Sequence, residues 1–89
     1  MPAPKLGDIL TPDEQRQYLA AIDQSLSRAQ NSLNSIRERQ LNKDQQAEVE
    51  QIRNFMQQAQ GSRSLDPAGA KSLAGRAEVL ARDLAANFH

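Results

Sequence analysis

The reactive side chains of this sequence are few, and they stand without the neighbours that would activate them. The only histidine, His89, is the last residue. A general base must be held in place by surrounding groups, and a chain end does not do so. Seven serines are present, but none is flanked by a histidine or another base, so nucleophilic catalysis has no starting point. Ser25 and Ser32 lie seven residues apart beside an apolar helical row, where small side chains let helices approach closely. Glu48 and Glu50 are two residues apart, which turns them to different sides of a helix. No Glu-x-x-His element of the kind that builds metal sites in helical bundles occurs. Cysteine is absent, which removes thiol chemistry and disulfides. The residues therefore read as those of a non-enzyme with no metal, no cofactor and no small-molecule substrate.

Binding residues are easier to nominate. Arg37 and Arg39, with Lys43 close by and Arg53 in reach from across, form the densest basic patch. It suits an acidic partner or a phosphate, and it also suits a helix end, where positive charge complements the dipole. The aromatic residues are Tyr18, Phe55 and Phe88, too few to build a stacking platform for single-stranded nucleic acid. Phe55 and Phe88 read as core. Tyr18, beside Leu19, is the candidate exposed anchor. The partner-binding candidates are thus Tyr18, Leu19, Arg37 and Arg39.

Eleven basic residues balance eleven acidic ones, whereas a nucleic-acid binder normally carries a clear positive excess. No apolar run approaches the length of a membrane span. The opening Met1-Pro2-Ala3-Pro4-Lys5 has no apolar segment of the type found in a secretory signal. Residues 1–10 read as an extended linker cut from a longer protein, with Met1 added to it. Ile9 and Leu10 could tuck against the body that follows.

That body must come from helices. Ten leucines, four isoleucines and thirteen alanines dominate the apolar residues, while the β-branched and aromatic residues that favour sheets are sparse. One phrase occurs three times: Leu10-Thr11-Pro12, Leu41-Asn42-Lys43 and Leu65-Asp66-Pro67. Thr, Asn and Asp cap helix N-termini, and proline is favoured at the first helical position. Helices are predicted over about 12–40, 43–60 and 67–87. In the first, Leu19, Ile22, Leu26, Ala29, Leu33 and Ile36 recur at spacings of 3, 4, 3, 4 and 3, a heptad seam. Glu14 completes a capping box with Thr11, as does Gln45 with Asn42. The second seam is Val49, Ile52, Met56 and Ala59, widened by Phe55, and Gly61 is placed to stop it. The third face comprises Ala70, Leu73, Ala74, Ala77, Leu80, Ala81, Leu84 and Phe88, and half of it is alanine. One continuous helix through residues 41–42 is the competing reading, because neither Gly nor Pro lies between Asp13 and Gln60.

Short connections make successive helices antiparallel. The expected fold is all-α: an up-down-up three-helix bundle over residues 11–89, with coiled-coil-like packing and a longer first helix. At 1.5 Å per residue the first helix would be about 43 Å long, against about 27 Å and 31 Å for the others. Its first turns, around Tyr18 and Leu19, would then project beyond the body as a place for a partner or a second copy.

Three stretches carry a resemblance: Leu10-Thr11-Pro12-Asp13-Glu14-Gln15-Arg16, Arg39-Gln40-Leu41-Asn42-Lys43-Asp44-Gln45-Gln46 and Ala77-Glu78-Val79-Leu80-Ala81-Arg82-Asp83-Leu84. The chain resembles helical C-terminal segments of uncharacterised bacterial envelope and lipoprotein-like proteins, in which a Pro-rich linker leads into helices opened by Leu-Thr-Pro. The resemblance implies a periplasmic or envelope setting, with a cytoplasmic one as the alternative, and carries no functional residues. Spectrin-type three-helix repeats are longer and carry a core tryptophan, which is absent here.

The function expected on these grounds is a non-catalytic helical protein-interaction or assembly module, part of a larger bacterial envelope protein, acting through a protein partner or self-association. The alternative is a small helical nucleic-acid-binding regulator. Its third helix would offer only Lys71, Arg76 and Arg82. An enzyme with an unrecognised site is the third class.

Overall fold

A computed structural model of the chain describes residues 10–88. The expected linker apart from Leu10, with Ile9, and the terminal His89 lie outside the described residues. Three helices follow one another: α1 (Pro12–Ser35), α2 (Lys43–Ser62) and α3 (Pro67–Ala86). There are no strands among the described residues.

Each repeated phrase opens a helix by the chemistry its residues supply. The Thr11 hydroxyl accepts from the Glu14 N–H at 3.1 Å, and the Glu14 carboxylate accepts from the Thr11 N–H at 3.2 Å. Asn42 and Gln45 repeat this reciprocal box at 2.8 and 2.9 Å. The Asp66 carboxylate accepts from the Gly69 N–H at 3.1 Å. Free N–H groups at the helix starts are thereby paired. Asn42 ends the continuous-helix alternative, because its extended backbone (φ −75°, ψ 177°) breaks the rod.

The first helix stops five residues before its predicted end near Gln40. The Ile36 N–H turns to the Leu33 carbonyl, Arg37 donates to Asn34, and Arg39 donates to Ile36. These are tight i→i+3 bonds of the kind that close a helix. Ile36 leaves helical backbone (φ −114°, ψ 7°), and residues 36–42 carry the chain across to α2. Ile36 remains buried at 2% exposure, so the last turn of the predicted seam serves the core from outside the helix. The second helix instead runs through Gly61, which is an ordinary helical residue, to Ser62. The α2–α3 turn follows, closed by the Asp66 N–H donating to the Ser62 carbonyl at 2.7 Å.

The bundle is up-down-up. Lys71 of α3 lies over Tyr18 of α1, and Glu78 reaches Arg28, so these two helices run parallel. Arg63 after α2 reaches Asp23, while Arg53 shares a depression with Gln30 and Leu33, so α2 runs antiparallel to α1. Twenty-four helical residues make α1 about 36 Å long, not 43 Å, and twenty make α3 about 30 Å. Residues 12–17 are exposed, but the predicted overhang does not extend to Tyr18 and Leu19. Tyr18 faces Lys71, and Leu19 packs half-buried against the core.

The interior is dry: no polar or charged residue is buried among the described residues. It is made of Ile22, Leu26, Ala29 and Leu33 of α1, Ile52, Met56 and Ala59 of α2, and a row of alanines on α3. Ala70, Ala74, Ala77 and Ala81 are all fully buried. With only a Cβ at these positions, α3 lies close against both neighbours. Helices α1 and α2, which meet through larger side chains, approach one another least. Leu80 departs from its predicted place in the core. It precedes Ala81 and lies about 100° from it around the helix, which puts it on the flank at 38% exposure, while Leu84 is buried at 1%.

Candidate interaction groove

The wider spacing of α1 and α2 leaves a groove at the end where α1 finishes and α2 begins. Its inner depression, of about 240 Å³, is lined by Gln30, Leu33, Asn34, Ile36, Arg37, Leu41, Val49 and Arg53. An outer depression shares Leu41, Val49 and Arg53 and adds Lys43 and Glu50. Leu33 and Ile36 are buried beneath it, while Leu41 and Val49 are only half-buried. The floor is thus aliphatic and partly open to solvent.

Local hydrogen bonds hold the walls. The Gln46 side chain donates to the Leu41 carbonyl at 3.0 Å, fixing the connection just before the Asn42 cap. On the α1 wall, Gln30 donates to Asn34 at 3.0 Å. Gln46 also explains why Leu41 is left open. It occupies the position where an apolar residue would pack on the leucine preceding the cap, and it offers an amide instead.

The rim is cationic. Arg37, Lys43 and Arg53 line the two depressions against one carboxylate, Glu50. None of these cations forms an ion pair among the described residues, whereas Arg16, Arg28, Arg63 and Arg82 each have a carboxylate within 4 Å. At the opposite end, the Arg63 guanidinium is held above its usual value by its hydrogen bonds to Asp23. No cluster of three or more metal-ligating side chains occurs among the described residues.

The sequence candidates are therefore split. Arg37 lies on the groove, and Arg53, which the sequence placed in reach of it, lies there too. Arg39 is exposed in the connection and lines neither depression. Tyr18 and Leu19 are at the far end, where the Lys71 ammonium sits 5.0 Å from the Tyr18 ring centroid in a cation–π contact. Leu41 and Val49 are the groove residues that sequence reasoning assigned elsewhere, one to a helix start and the other to a core seam. The signal that could have found Leu41 is Gln46, a polar residue where its apolar partner would stand.

Comparison with family models, with curated proteins and with solved structures finds no match to this chain. No helix among the described residues is long and apolar enough to cross a membrane.

Proposed function

We propose that this chain is a non-catalytic helical interaction module that binds a protein partner through the α1–α2 groove. The observation that carries this reading is the pairing of a half-open aliphatic floor, Leu41 and Val49, with Arg37 and Arg53 on its rim. Partly exposed aliphatic side chains in a concave site gain by being covered, at roughly 25 cal/mol per Å² of apolar surface. Arginine adds directional donors at the edge of such a contact. The resemblance to envelope-protein segments supports a place for the module within a larger protein of that kind.

A photo-crosslinking residue at Ala47, which is exposed and lines the outer depression, tests the reading. A second copy of the probe at Ser72, exposed on α3 away from the groove, is the control. In native lysate the Ala47 probe should give a discrete protein adduct that the Ser72 probe does not. Identical adducts from both positions, or none from Ala47, would remove the groove as the working surface.

A further inference from the structure

We infer that the occupant of the groove is an amphipathic helix of a partner protein, with carboxylates flanking its aliphatic face. This rests on the interaction reading above and adds the chemistry of the partner. Charge decides the sign. Three cations line the groove against one carboxylate, and no carboxylate among the described residues pairs with Arg37, Lys43 or Arg53. An acidic segment meets a complementary potential there, and a basic one is repelled.

The form of the occupant follows from the walls. Both are helices, and neither presents a row of free backbone donors and acceptors, so an added strand would find nothing to pair with. A helix can lay an aliphatic stripe on Leu41 and Val49, over the buried Leu33 and Ile36, while its flanking carboxylates reach Arg37 and Arg53, the helix-in-groove mode of recognition. Another apolar surface, on the outer side of α3, is lined by Gly75, Arg76, Val79 and Leu80; it carries a single cation on one helix, whereas the groove gathers three between two helices.

The test uses the full chain, isotopically labelled, titrated with a designed helical peptide of leucine heptads flanked by glutamate. Two further peptides replace every glutamate by glutamine or by lysine, and a short duplex DNA serves as a phosphate probe. The glutamate peptide should shift amide signals at Leu33, Ile36, Leu41, Val49 and Arg53, and leave those at Tyr18 and Ser72 in place. Its affinity should fall at least tenfold in the double variant Arg37→Gln/Arg53→Gln, whose fold is checked by circular dichroism. Equal binding of the glutamine peptide would overturn the acidic partner while leaving the interaction reading intact. Tighter binding of DNA at the same residues would replace the protein occupant with a polyanion. Concentration-dependent shifts of the groove signals without any peptide would assign the groove to a second copy of this chain. Absence of groove shifts with every probe would overturn the inference, and the Ala47 crosslink would then decide the broader reading independently.

Discussion

Arg63 grips the Asp23 carboxylate with two hydrogen bonds, Nε to Oδ1 at 2.9 Å and Nη2 to Oδ2 at 2.6 Å. The pair ties the α2–α3 turn to α1, forty residues earlier in the chain. A bidentate fork fixes orientation as well as distance. Because the pair is partly exposed, salt screens it. Arg63→Gln should lower the melting temperature in low salt, and the difference from the parent should shrink as ionic strength rises. The guanidinium ionises higher folded than unfolded, so its contribution is complete below its unfolded value and is lost only as pH rises through the folded one. Both lie far into alkali. The Arg63→Gln penalty should therefore stay constant from pH 6 to pH 9 in thermal melts, and a penalty that varies across that range would mean another group is involved.

Burial separates leucines that look alike in sequence. Leu33 is 5% exposed and Leu84 1%, against 38% for Leu80. Leu33→Ala and Leu84→Ala should each cost about 2–5 kcal/mol, enough to unfold much of a small domain. Leu80→Ala should cost about 1 kcal/mol or less, near the range of surface changes. Urea denaturation of the three variants checks the order.

The alanine row should resist enlargement. Ala74 and Ala77 are fully buried where α3 lies against its neighbours. Ala77→Leu should cost about 1–3 kcal/mol or more by forcing side chains and backbones apart. A stable Ala77→Leu variant would show that the helices can move apart there.

Three glycines should behave in three ways when changed to alanine. At Gly75 and Gly61 an added Cβ meets nothing within 4 Å, and both positions are helical, so each substitution should stabilise by roughly 0.5–1 kcal/mol. At Gly69 the new Cβ would run into the Asp66 carboxylate as it caps α3. Gly69→Ala should displace that cap and lose about 1 kcal/mol. Denaturation midpoints of the three single variants test the contrast in sign.

Removing the cap at the first reversal should be felt at the groove as well as in stability. Asn42→Ala loses the acceptor for the Gln45 N–H and should cost about 1 kcal/mol. Hydrogen exchange at the amides of Asp44, Gln45 and Gln46 should quicken relative to those near Ile52.

The helix starts were legible because capping is local chemistry. Thr11, Asn42 and Asp66 act within three residues of themselves, and no distant contact is needed to read them. The end of α1 was not legible for the opposite reason. Arg37, Glu38, Arg39 and Gln40 are all good helix formers, and the helix ends ahead of them where Ile36 turns out of helical backbone while staying in the core. Gly61 misled in the same way, because it can end a helix but is not obliged to. Leu80 obeyed the apolar spacing but fell on the flank, since the alanines beside it let α3 turn its narrow face fully inward. The groove was half legible: Arg37 and Arg53 stood out by charge, while the openness of Leu41 and Val49 depends on how far apart α1 and α2 settle.

The weak approach of α1 to α2 has a thermodynamic consequence. Each owes most of its tertiary contact to α3, so no pair that lacks α3 has a core of its own. Alanine gives up no side-chain rotamer freedom on burial, which makes α3 cheap to order, yet the chain has no second element able to take over its role. Loss of α3 should therefore melt all three helices together, as one cooperative transition with no two-helix remnant, and helicity and tertiary signals should vanish at the same midpoint.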